Sequence, residues 1–242
     1  MKLTPKLIRK LVPDRDSKQV ECVDASKQGL MQLKWLSASG NALVDLAAVH
    51  ALSNLRVLNL SFCSLSGALD VAALTSLRAL ILNDNALEAV TGLGELPQLN
   101  TLVLTRNRLA ELGAATLAGC SALAKLSLSH NPLADLEGCL DGLPALNELR
   151  LNDCRVAALP SGLAASQRLR ILDLGHNPIR RGEDLQVLAR LPWLRSLNLV
   201  ACPLASFPHY MATLHRLVPD LQVLDGRRVA ERGGGRHVAP GR

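Results

Sequence analysis

Leu55-Arg56-Val57-Leu58-Asn59-Leu60-Ser61-Phe62-Cys63-Ser64-Leu65 is the stretch that decides how this chain folds. Leucine stands at its first, fourth, sixth and eleventh places and cysteine at its ninth, the pattern LxxLxLxx(N/C)xL. The same frame starts at Leu33, Leu77, Leu99, Leu123, Leu146, Leu169 and Leu194, in steps of 22 to 25 residues. A weaker match from Val20, with Val23, Ala25, Gln28 and Leu30, reads as a truncated first rung over 20–32. Fixed-period self-similarity of this length means stacked structural units, each too small to bury its own apolar face. Within a unit, LxL alternates an inward leucine with an outward side chain, so it is a short strand. Each strand then pairs in parallel with the strand of the next unit.

Composition agrees. The chain has 242 residues, 53 of them leucine, and only 2% are aromatic. A core built from one residue type suggests one packing environment used many times. The ninth place turns the chain. Asn41, Asn85, Asn107, Asn131 and Asn177 fill it, and their amides can bond to the backbone of neighbouring turns as a ladder. Cys63, Cys154 and Cys202 hold the same place in the other rungs and read as buried structural thiols. In the unit from Leu77, Leu87, Val90, Leu93 and Leu96 recur every third residue, which predicts 3₁₀ or short helical turns on the far side. The longer units four to seven leave room for fuller α-turns. Leu159-Pro160-Ser161-Gly162-Leu163 reads as a turn into a short helix.

The frame and the Asn ladder are those of a leucine-rich repeat. The segment from Tyr210 to Gly226, with Leu214, Leu217, Pro219, Leu221, Leu224 and Asp225, resembles the terminal cap of the intracellular 22-residue class of such proteins. Met211 stands where that cap usually has arginine. The class includes a type-1 phosphatase regulatory subunit, the spliceosomal A-prime protein, an axonemal dynein light chain and ciliary members. The resemblance implies a right-handed α/β solenoid with a parallel concave sheet and short 3₁₀ or α convex segments. It also implies a non-enzymatic protein that binds another protein on its concave face, as a monomer within a larger complex. The expected organisation is a capping helix and basic segment over 1–19, repeats over 20–204, a cap over 205–229 and a disordered basic tail over 230–242.

Several function classes lose their basis. No stretch of 18 residues lacks charge or strong polarity, so membrane insertion is not expected. The start Met1-Lys2-Leu3-Thr4 leads into no long apolar run, so no secretory leader is expected. Six cysteines without a CxxC pair fit neither a zinc ribbon nor a disulfide scaffold, and they favour a reducing, cytoplasmic setting, with nucleus and cilium as alternatives. No phosphate-cradling glycine loop and no nucleophile elbow occur, so no cofactor is expected. Net charge is +6, but it is concentrated at the ends: +4 over 1–18, +3 over 221–242 and −1 between. Those basic ends, with Lys2, Lys6, Arg9, Lys10, Arg227, Arg228, Arg232 and Arg236, give the alternative reading of a ribonucleoprotein component touching RNA or an acidic partner.

The frame also predicts which side chains face outward. In the N-terminal rungs these are Trp35, Val57, Ile81 and Val103, with Phe62 nearby, an apolar set without an evident internal partner. In the C-terminal rungs Lys125 stands beside Glu148 and Arg150 beside Asp173, opposite charges on neighbouring strands. Trp35, Val57, Phe62, Ile81, Val103, Lys125, Arg150 and Asp173 are therefore the expected partner-binding residues. His130, Asp153 and His176 share one column at the eighth place. Two strand spacings part the histidines by about 9–10 Å, too far for one metal, so no metal site is expected and a surface charge ladder is the better account. Trp193, after Pro192, reads as packing.

Overall fold

The computed structural model describes residues 33–41, 49, 52–113 and 116–229. The expected helix over 1–19, the truncated rung over 20–32 and the tail over 230–242 lie outside the described residues. Two residues after each of the eight frame leucines a three-residue strand begins: β1 (Trp35–Ser37), β2 (Val57–Asn59), β4 (Ala79–Ile81), β6 (Thr101–Val103), β7 (Lys125–Ser127), β8 (Glu148–Arg150), β9 (Ile171–Asp173) and β10 (Ser196–Asn198). They pair in parallel in that order. β11 (Val223–Leu224) follows β10 in parallel, and β12 (Arg227–Arg228) closes the sheet antiparallel to β11. The register runs Leu36, Leu58, Leu80, Leu102, Leu126, Leu149, Leu172, Leu197 and Leu224, one leucine column across nine strands. From Leu58 to Leu197 this column is at most 1% exposed, whereas Leu36 in the first described rung is only partly buried. A rung is covered by its two neighbours, so the interior rungs are the dry ones.

Past each strand the inter-rung bonding continues for two more residues. The N–H at the eighth place donates to the seventh-place carbonyl of the following rung, as Arg106 does to Ser129 at 2.9 Å and His130 to Asn152 at 2.9 Å. Seven rungs hold that bond while turning the chain, and the eighth place is left-handed in all eight, from Gly40 (φ 77°) to Ala201 (φ 59°). For residues with a Cβ this is a strained conformation, kept because the surrounding bonds over-determine it.

The ninth-place ladder relieves the turn. Asn131 donates its amide to the carbonyls of Leu104 (2.9 Å) in the rung before and Leu128 (2.7 Å) in its own, and accepts the N–H of Leu109 at 3.1 Å. Asn85, Asn107 and Asn177 repeat this. The three cysteines make the inter-rung half of it. The thiols of Cys63, Cys154 and Cys202 donate to the carbonyls of Ala38, Leu128 and Leu174, each the sixth place of the rung before. That is the carbonyl an asparagine would have reached.

The far side departs from expectation in two places. Ala86–Thr91, expected as helical turns, is strand β5, paired in parallel with β3 (Ser66–Asp70) as a second, two-stranded sheet. Its register slips by one residue, so Ala68 faces Ala89 and Glu88 is extra. The bulge explains the misleading period: it inserts one residue between two inward positions, so Leu87 and Val90 both point in at a spacing of three. Units four to seven carry no α-helix among the described residues. Their regular pieces are 3₁₀ segments, Ser161–Ala165 and Gly182–Arg190, the first at the place expected for a short helix. The α-helix α1 (Tyr210–Leu217) follows β10 and packs on Gly182–Arg190. Among the described residues no helix is long and apolar enough to cross a membrane.

Candidate functional site

The outward side chains of the strands are the candidate site. Trp35 and Phe62 are the most open of the expected set, at 50% and 59% exposure, while Val57, Ile81 and Val103 are half-buried. Trp35 pairs directly with Val57 and Ile81 with Val103. Each couple spans one rung separation of about 4.8 Å, and the two are offset, Trp35 and Val57 at the third place of β1 and β2, Ile81 and Val103 at the fifth place of β4 and β6. Phe62 stands apart at the turn edge, aimed there by its left-handed backbone (φ 56°).

The charged half is arranged differently from the expectation. Lys125 meets Glu148 across β7 and β8 at 3.1 Å. Arg150, however, bonds not to Asp173 but to Glu148 of its own strand, Nε to Oε1 at 2.6 Å. Asp173 is occupied by Asn198, whose amide donates at 2.8 Å, and by the Gly175 N–H at 3.2 Å. Residues two apart on a strand share a face, so Glu148 lies within reach of Arg150. Partial burial of Glu148 pushes its carboxyl up, but hydrogen bonds and charge from Lys125 and Arg150 outweigh this and hold it below its usual range.

The eighth-place column is a paired surface ladder. Arg106 reaches Asp84 at 3.7 Å. His130 Nδ1 lies 3.0 Å from Asp153, and its Nε2 lies 3.3 Å from the Asn152 amide nitrogen. Among the described residues no three His, Cys, Asp or Glu side chains group as a metal would need. The cysteines at 63, 120, 139, 154 and 202 are free and buried. Burial pushes the Cys120 and Cys154 thiols up to about 11 and Cys139 to about 12, which leaves them protonated and poor nucleophiles.

Three features were not foreseen. Ile171 and Val200 stand exposed in the charged half, on the rim of a hollow of about 320 Å³ between Arg150, Asp173, Asn198 and Asp225. The frame places Ile171 at the third place, so its outward direction was legible; the hollow depends on where the β11–β12 turn sits. Trp193, expected to pack, is 54% exposed with the Arg195 guanidinium 5.6 Å from its ring centre.

Against known proteins, the family described as leucine rich repeat matches residues 97–156, and a second model of that description matches 54–72. The matched units are leucine-rich repeats. Podocan-like protein 1 of Mus musculus shares 43% identity over 94 residues, 38% of this chain and 16% of that protein, so the chain spans about a sixth of that relative. A leucine-rich repeat protein of Leptospira interrogans superposes with TM-score 0.53 at 23% identity, over 80% of this chain and 61% of that one. TLR13, solved as a complex with ssRNA13, superposes with TM-score 0.62 at 27% identity, over 77% of this chain and 27% of that one. Sheet, 3₁₀ segments and these likenesses together make the fold an α/β leucine-rich repeat solenoid. Leucine-rich repeats are typically a non-catalytic fold for protein–protein interaction.

Proposed function

We propose that this chain is a non-catalytic scaffold or adaptor that binds a protein partner on the concave face of its sheet, as a monomer within a larger intracellular assembly of regulatory or axonemal type. The observation that carries this is the outward apolar set of the N-terminal rungs: open Trp35 beside Val57, and Ile81 beside Val103, on a rigid backbone. Large apolar groups held outward on preorganised strands suit a partner, because little entropy is lost when they are covered. Lys125, Arg150 and Asp173 would set the partner's register. Buried free thiols support a reducing compartment. The test is affinity recovery with wild type, Trp35→Ser and Ile81→Ser. The expected result is loss of the co-purifying chain with an unchanged melting temperature; equal recovery by folded variants refutes the reading.

A second reading, RNA contact through the basic termini, draws support from their charge of +4 and +3 and from the RNA-bound TLR13 structure. Removal of 1–12 and 230–242 would then abolish filter binding to RNA.

A further inference from the structure

The residue just before each strand forms another column, on the edge where the chain enters the sheet. The Lys34 carbonyl accepts the N–H groups of Arg56 and Val57, and the Arg56 carbonyl those of Arg78 and Ala79, so these residues stack rung on rung. From β1 to β10 the column reads Lys34, Arg56, Arg78, Asn100, Ala124, Asn147, Arg170 and Arg195: five cations and no acid. Lys34, Arg56, Arg78 and Arg170 are exposed, and among the described residues no carboxylate pairs with any of them. Arg195 reaches Asp220 at 4.0 Å and donates to the carbonyls of Pro192 and Leu194, each at 3.0 Å.

The rest of the sheet behaves otherwise. On the opposite edge Arg106 has Asp84, and on the face Lys125 and Arg150 share Glu148. Like charges on adjacent strands repel, so three neighbouring cations with no counter-charge among the described residues favour an external anion. Seven strand spacings make the column roughly 34 Å long, the scale of a polymer and not of a single phosphate. The chain's two tryptophans, both at least half exposed, flank its two ends. Trp35 follows Lys34, and Trp193 lies under Arg195. An acidic protein would satisfy the charge, but a polymer with regularly spaced anions and flat faces matches both the row of cations and the exposed rings at its two ends. A single-stranded nucleic acid uses both, its phosphates on the cations and its unstacked bases on the ring faces.

We propose that the entry edge of the sheet binds single-stranded nucleic acid, with phosphates along Lys34, Arg56, Arg78, Arg170 and Arg195 and bases stacked on Trp35 and Trp193. The site shares Trp35 with the proposed concave-face contact, but its cations and Trp193 lie outside that contact, so variants at those residues test it alone.

Fluorescence anisotropy of a labelled oligouridylate of roughly ten nucleotides, with the full chain, tests this. Affinity falls with salt at a log–log slope of about −3.5, some 0.7 for each of five phosphates. Arg56→Gln with Arg78→Gln shallows that slope by about 1.4. Trp193→Ala weakens binding roughly tenfold at any salt. Arg106→Gln, on the other edge, leaves both unchanged. All of these alter exposed side chains, and thermal melts confirm the fold of each. The proposal is overturned by any of three results: an unchanged slope in the double variant, full affinity in Trp193→Ala, or tighter binding of a duplex or of polyglutamate than of the single strand. The polyglutamate result would assign the edge to an acidic protein.

Discussion

Asn131 shows how much one side chain does in this molecule. It is 2% exposed and joins two rungs through donated bonds to Leu104 and Leu128 and an accepted bond from Leu109. Replacing it by alanine leaves the buried Leu109 N–H without its acceptor and removes one donor each from the Leu104 and Leu128 carbonyls, which keep Asn107 and Cys154. The expected loss is about 3 kcal/mol, read as a lower urea midpoint. The cysteines of the ladder make a chemical prediction. Burial raises the Cys63, Cys120, Cys139, Cys154 and Cys202 thiols, so a thiol reagent near pH 8 should leave these five unlabelled in native protein and modify all in denaturant. Because the folded-state values lie above the unfolded one, their contribution to stability is complete below about pH 8.5 and is lost as pH rises toward the folded values. Rapid native labelling of Cys154 would contradict the buried ladder. Glu148 carries the opposite sign. Its folded value is lowered, so its contribution is present above the usual glutamate value of about 4.3 and disappears as pH falls below it.

At the scale of the element, the far-side segments are governed by how closely adjacent rungs approach. Gly119 has no room for a side chain, since a Cβ there would fall on the carbonyl of Gly94 in the neighbouring turn. That obstacle is backbone, which cannot swing aside. Gly119→Ala should therefore separate the two turns, lowering the melting temperature and raising hydrogen exchange at Cys120 and Leu123 more than at β9 or β10. The end of the sheet depends on a different element. Asp225 and Gly226, both left-handed, make the tight turn between β11 and β12. The Asp225 carboxylate accepts the Tyr210 hydroxyl at 2.8 Å and the Leu199 N–H at 2.7 Å, tying α1 to the last full rung. Tyr210→Phe removes the first of these bonds. About 1–2 kcal/mol of stability should go with it, measured by chemical denaturation, with the strands up to β9 still protected.

On the scale of the whole molecule, repetition makes rows of side chains, and each row has its own electrostatic character. The eighth-place row alternates and pairs, the face row pairs around Glu148, and the entry-edge row carries cations at five of its eight places and no acid. Much of this was legible in the sequence. An eleven-residue frame with an alternating core fixes strand, register and inward leucines by local geometry alone, and it names the outward residues too. What escaped the sequence were contacts settled between rungs. Arg150 had two carboxylates within range, and the same-strand Glu148 won because Asn198 had taken Asp173. Leu87 and Val90 mimicked a helical period because a bulge shifted one residue. Trp193 read as packing because nothing local shows that the leucines around it already fill the core. Local periodicity is a property of the chain and survives in its letters. Competition among neighbours for one acceptor or one patch of solvent is a property of stacked rungs, and it exists only once they are in place.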